Sequence, residues 1–267
     1  MEAKLSVVIY TLIGLLLYTA QVLWAQEIKP GETARQHERT WNNMDSRDIK
    51  IVPSQSALPN HILSKAALKE HLLLAIGSDD IPEVERFISA GADVNRPITE
   101  NGMTPLMLCR SPGMVSTLLE KGANPDRRDD KGMTALHYHL FSDSAEKILP
   151  LLLNAGADVN AVAIGSNKET PLLAARQLFF EGGDPNRGER IIRLLSQAGA
   201  FLDAQDELGY TVLMTAVVNN KPRLAQLILS LGADPHVQTE EGKTALDWAR
   251  ELGRDKLERM LLQYKAD

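Results

Sequence analysis

The 267-residue chain is 44% hydrophobic and 24% charged, with a net charge of −6. That balance suits a folded, water-facing protein and excludes a multi-span membrane protein; an acidic chain also lacks the basic stripe that displaces counterions from nucleic-acid phosphates. Its single cysteine, Cys109, excludes an internal disulfide and any multi-cysteine metal site, and an aromatic share of 5% leaves Leu and Ala to build a helical core.

The N-terminus differs in kind from the rest. After MEAK, Leu5–Leu23 runs nineteen residues without a charge and is followed by WAQE. A weakly basic start, an apolar core and a small residue at Ala25 predict an export signal over residues 1–25. The run is also long enough to cross a bilayer, and Leu23 stands where a cleavage site prefers a small residue. An uncleaved N-terminal single-pass anchor is therefore the alternative. Either reading exports the remainder. With no Asn-x-Ser/Thr acceptor and no cysteine behind the apolar run, the expectation is a bacterial envelope protein, most simply periplasmic. Residues 26–60 hold three prolines, five acids and five bases with no apolar period, which reads as a flexible linker.

Residues 61–267 repeat themselves. A Gly–Ala pair recurs at 91, 122, 156, 199 and 232, in phrases such as FISAGADVN and LLLNAGADVN, at intervals of 31, 34, 43 and 33 residues. A second phrase keeps step with it around Thr104, Thr134, Thr170, Thr211 and Thr244 (MTPLML, MTALHY, ETPLLAA, YTVLMTA, KTALDWA). The Thr is placed to cap a short helix, whose first turn has backbone N–H groups without partners. Leu213 and Ala216 then share one face, a second helix presents Leu224, Leu227 and Ile228, and Gly232 suits the left-handed residue that ends it.

This double motif is similar to the ankyrin repeat over residues 64–263. The resemblance implies an all-α repeat solenoid of about six stacked helix-turn-helix units with short β-turn or hairpin fingers. The units fall at about 64–95, 101–126, 131–160, 167–203, 208–236 and 241–265. The first has Glu70 in place of the Thr, and the end units are atypical, as expected where an outer face has no neighbour. Two units break the spacing. The second is three residues short, with Pro112–Gly113 placed at its corner. The fourth carries about eight extra residues, FFEGGDPNRGER, with the insertion proper at 181–189. That insertion is either a tolerated surface loop projecting from the helix pair or a second contact edge using Phe179, Phe180 and Arg187.

The sequence offers no catalytic constellation. His137 and His139 form a His-x-His pair without a third ligand, and the resemblance implies that His137 braces a neighbouring turn rather than binding zinc. Cys109 reads as a small buried hydrophobe. No nucleophile elbow, phosphate-binding loop or HExxH occurs, so neither enzyme activity nor a cofactor is expected. The resemblance implies instead a protein partner, bound by a monomer on a concave surface made of finger turns and inner helices. Finger candidates are Asn101, Arg127, Arg128, Asp129, Asp130, Lys131, Glu207, Tyr210, Glu240 and Glu241. Inner-helix candidates are Tyr138, Arg176, Asn219 and Trp248, with the aromatic and arginine residues ranked first for their large contact area and polar handle. Trp248 is either a contact or a packed ring of the closing unit. The acidic fingers favour a basic patch on the partner. The leading expectation is a binding module of the envelope for one protein partner. The resemblance suggests one alternative, an accessory or immunity factor for a secreted lipase or toxin, and a stress-protection factor supporting a periplasmic enzyme is the other.

Overall fold

The computed structural model describes residues 65–165, 167–180 and 183–264. The expected export segment and linker lie outside these residues. Among the described residues no helix is long and apolar enough to cross a membrane.

Among the described residues six helix pairs follow one another. They are α1 (Lys65–Gly77) and α2 (Ile81–Ser89), α3 (Pro105–Leu108) and α4 (Pro112–Glu120), then α5 (Ala135–His139) and α6 (Ala145–Asn154). The series continues with α7 (Pro171–Ala175) and α8 (Pro185–Gln197), α9 (Val212–Val218) and α10 (Pro222–Ser230), and α11 (Ala245–Glu251) and α12 (Asp255–Tyr264). First helices pack on first helices (α3 on α5, α9 on α11) and second on second (α4 on α6, α10 on α12). Between the units run short turns rather than strands, with one isolated bridge, Ala163 to Glu169. This is the expected all-α repeat solenoid.

The starts and stops follow from side-chain chemistry. The five threonines are the N-caps of α3, α5, α7, α9 and α11; Thr170, Thr211 and Thr244 accept the backbone N–H three residues on. Pro105, Pro112, Pro171, Pro185 and Pro222 open helices, where a missing N–H costs nothing. Each second helix from the first to the fifth pair is followed by its Gly–Ala glycine, all five with φ between 86° and 101°. The core is the pattern read from the sequence: Leu72, Val84, Leu106, Val115, Leu136, Leu152, Leu213, Ala216, Leu224 and Ile228 are all buried.

The closing phrase holds the units together. Asp93, Asn124, Asp158 and Asp234 each accept, on a side-chain oxygen, the N–H two residues on and so close their own turns. After Asp93, Asn124 and Asp158 the residue two further on reaches the next unit, and Asp203 does the same from the fourth unit. Asn95, Asp126, Asn160 and Asp203 accept the backbone N–H of Asn124, Asp158, Phe201 and Asp234 at 2.6–3.0 Å. Only the two asparagines also donate, Asn95 to Gly122 O and Asn160 to Gly199 O, because an ionised carboxylate has no proton to give.

Three sequence expectations are corrected. Glu70 lies inside the 13-residue α1 rather than at its cap. The corner of the second unit is Cys109–Ser111, since Pro112 and Gly113 form the first turn of α4 behind the N-cap Ser111. Among the described residues the fourth unit's extra stretch packs back rather than projecting: Phe179 ends a 3₁₀ turn, Arg176–Phe179, and residues from Pro185 on lengthen α8 to 13 residues. Phe179 is buried, and the Arg187 guanidinium donates to the carbonyls of Leu140 and Ser142, beyond the end of α5. Of the proposed second edge, Phe180 stays partly exposed under the Lys221 ammonium, and Arg187 stays partly exposed while tied to those carbonyls.

Candidate functional site

Four of the five fingers are tied off by the residue five before the capping Thr. Asp129 Oδ1 accepts the N–H groups of Lys131 and Met133, Asp206 Oδ1 those of Leu208 and Tyr210, and the hydroxyls of Thr99 and Thr239 those of Met103 and Lys243. Neighbouring fingers then join edge to edge: Asp130 N–H donates to Asn101 O, Gly165 N–H to Lys131 O, and Glu207 N–H to Asn167 O. Gly132 makes this close approach possible. Its φ is +77°, and a Cβ there would lie 3.0 Å from the backbone nitrogen of Ile164.

Tyr138 and Trp248 occupy the same position, four residues after their Thr, and meet opposite fates. Tyr138 is 6% exposed and its hydroxyl donates to the free oxygen of Asp129 at 2.5 Å. The expectation of Tyr138 as a surface contact is therefore corrected: the buried Asp129 pulls it under its own finger. Trp248 has Thr239 at the equivalent place, with no second acceptor. Its Nε1 is buried without a hydrogen-bond partner and the residue remains partly exposed.

The structure brings three of the candidates into one row across the last three units. Arg176 Nη2 lies 3.5 Å from Glu169 and 3.7 Å from Asp206, with its side chain 11% exposed. Tyr210 closes the finger that Asp206 opens, and its ring centroid sits 5.6 Å from that of Trp248. Lys243 completes the row: its ammonium stands 4.2 Å above the Trp248 ring and 2.6 Å from Glu251. Burial raises the Glu169 carboxyl while Arg176 lowers it, and burial together with Glu241 raises the Tyr210 hydroxyl. The Lys243 ammonium is held above the ordinary lysine range by Glu251.

The other candidates lie apart from this row. Asn219 is exposed at the far end of α9 and donates to Thr215 O, closing its own helix. Arg127 donates to Asn95 O, and Arg128 to Gly132 O and Val162 O, so both guanidinium groups link successive units. Asp130, Glu207, Glu240 and Glu241 are exposed on the fingers. Sequence reasoning missed Lys243, Glu251 and the apolar finger residues Ile164 and Leu208, which are 80% and 72% exposed. Leucine between Asp-Glu and Gly in a turn was the legible signal for the last of these.

The histidines are structural. His137 Nδ1 accepts from Thr134 N–H and Nε2 meets Glu169 O at 3.2 Å, bracing the neighbouring turn; His139 Nε2 meets Leu106 O at 2.8 Å. Desolvation lowers both, His137 to about 4. Cys109 is buried with its thiol donating to Leu106 O, and burial pushes its pKa up, away from thiolate chemistry. Among the described residues no cluster of three metal-ligating side chains occurs.

Comparison with known proteins agrees with this architecture. The family model of ankyrin repeats (3 copies) matches residues 72–163 and 183–267. The chain belongs to the ankyrin-repeat family. It is 26% identical to the putative ankyrin repeat protein YahD of Escherichia coli over 71% of this chain and 93% of that one. It is 32% identical to the phosphocholine transferase AnkX of Legionella pneumophila over 56% of this chain, but spans only 15% of that protein. Among solved structures, the ankyrin domain of Bcl-3 aligns with a TM-score of 0.63 and 29% identity, covering 74% of this chain and 86% of that one. A chain in the complex of a Bdellovibrio bacteriovorus predatory endopeptidase with an immunity protein aligns at 0.57 and 27%, covering 75% and 98%. The repeats are those of a protein–protein interaction module, and no feature indicates nucleic-acid binding.

Proposed function

We propose that this chain is a non-catalytic, monomeric binding module of the bacterial envelope that holds one protein partner on its finger face. Residues 1–25 export it, as a cleaved signal or a retained anchor, residues 26–60 give it reach, and the repeat domain of residues 61–267 does the binding. The observation that carries the reading is the row Arg176, Tyr210 and Trp248, which links three units through the Arg176–Asp206 ion pair and the Tyr210–Trp248 ring contact beside acidic finger tips. Such side chains dominate interface energetics because they desolvate a large area while keeping a polar contact.

The test is to immobilise the mature chain, pass the native envelope fraction over it, and compare Tyr210→Ala/Trp248→Ala as the control surface. One dominant protein that is retained by the first and lost on the second supports the reading. Retention of no protein, or equal retention on both, counts against it. N-terminal sequencing of the chain recovered from the envelope distinguishes cleaved signal from anchor.

A second reading makes the partner a secreted hydrolase or toxin, with this chain as its accessory or immunity factor. The alignment over 75% of this chain with a chain of the endopeptidase–immunity protein complex favours it. Neutralisation of the captured protein's activity by this chain is the deciding measurement.

A further inference from the structure

The face of Trp248 already carries an ammonium group, and that group belongs to the chain itself. Lys243 Nζ lies 4.2 Å from the ring centroid and 2.6 Å from Glu251 Oε2, with Tyr210 forming the adjoining ring. Both members of the ion pair are open to water, Lys243 at 32% and Glu251 at 53% of the side chain. An exposed pair on flexible side chains is weak and readily exchanged. The surroundings hold more negative charge than Lys243 answers: Glu207, Glu240 and Glu241 are exposed on the two last fingers, and Arg250 is taken by Glu258 at 2.9 Å. Beside them Leu208 offers an apolar surface that is 72% exposed.

We propose that the Tyr210–Trp248 face with Glu251 is a recognition site for a basic side chain of the partner, which takes the place Lys243 occupies in the free protein. The occupant is a protein segment in which an arginine or lysine stands next to an apolar residue, the cation over Trp248 and the apolar residue on Leu208. Arginine suits the place best, since its planar guanidinium stacks on the indole while reaching a carboxylate. Lys243 acts as a placeholder that keeps the ring and Glu251 satisfied until the partner arrives, and its swing outward on a flexible stem clears the face. This rests on the protein-binding reading above and names the chemistry of the partner at that site.

The test uses the full chain carrying Trp24→Phe and Trp41→Phe, so that of its three tryptophans only Trp248 emits. The probe is the capped peptide acetyl-Gly-Arg-Leu-Arg-Gly-amide, with the same peptide bearing Glu for both Arg as control. The basic peptide changes Trp248 emission saturably and the acidic one does not. Lys243→Ala tightens binding about two- to fivefold, the worth of an exposed cation–π contact, whereas Lys256→Ala, an equal charge change on α12, leaves it unaltered. Glu251→Gln weakens it by a similar factor. The inference is overturned by no response to the basic peptide, by equal response to both peptides, or by Lys243→Ala and Lys256→Ala behaving alike. Capture of an envelope protein without peptide binding overturns this site and leaves the binding module standing; peptide binding without capture does the reverse.

Discussion

His137 is neutral and buried in the native state, with a pKa drawn down to about 4, while in the unfolded chain it returns to about 6.5. Between those values the unfolded state binds the extra proton, so stability rises with pH across that window. The contribution of the neutral ring is complete above about pH 6.5 and is lost as pH falls toward 4, at a full value of roughly 3 kcal/mol. Urea unfolding at pH 7 and pH 4.5 checks this: His137→Gln, which cannot titrate, should lose less stability on acidification than the parent. An unchanged slope would reject the assignment. The glycines separate two costs that look alike in the sequence. Gly122 and Gly132 both have positive φ, but an added Cβ meets nothing at Gly122 and the neighbouring finger at Gly132. Gly122→Ala should cost about 1–2 kcal/mol for the backbone conformation alone. Gly132→Ala should cost measurably more, read as a lower urea midpoint at equal slope.

At the scale of the element, the helix starts were legible and the insertion was not. Threonine before an apolar phrase and proline at a first turn act locally, within three or four residues, so spacing alone reveals them. The fate of FFEGGDPNRGER depends on carbonyls at Leu140 and Ser142, more than forty residues away in the chain, which no periodicity records. The same holds for Tyr138, whose burial depends on the finger residue being Asp129 rather than a threonine. Because Phe179, Arg187 and Gly188 pack inward, this stretch should be sensitive to small changes. A Cβ on Gly188 would stand 2.6 Å from the Phe179 ring, so Gly188→Ala should cost about 1–3 kcal/mol by overpacking. A freely projecting loop would tolerate that change within about 0.5 kcal/mol. Thermal unfolding of the single variant decides between the two.

At the scale of the molecule, the period of the repeat displayed the architecture in full, because each unit buries its apolar face only against its neighbours and must repeat the same chemistry to do so. The site was legible only in its residue types. Arg176, Tyr210 and Trp248 stood out as large side chains, but Lys243 and Glu251 became part of it through a contact between a finger and the helix behind it. The domain carries the whole net charge of −6, with exposed acids on its last fingers, so a basic partner should be steered toward it. Raising ionic strength should slow association with the captured partner several-fold while changing dissociation little, as measured by surface plasmon resonance. The rungs formed by the closing phrase also have a mechanical meaning. Pulled from its two ends, the stack is a series of links that all carry the same load, and the links are unequal. Counting the rungs of the closing phrase alone, the first and third are double, through Asn95 and Asn160, while the second and fourth are single, through Asp126 and Asp203. Stretching should part the weaker couplings first, with each released unit paying out roughly 110 Å of chain, and about 30 Å more from the 43-residue interval.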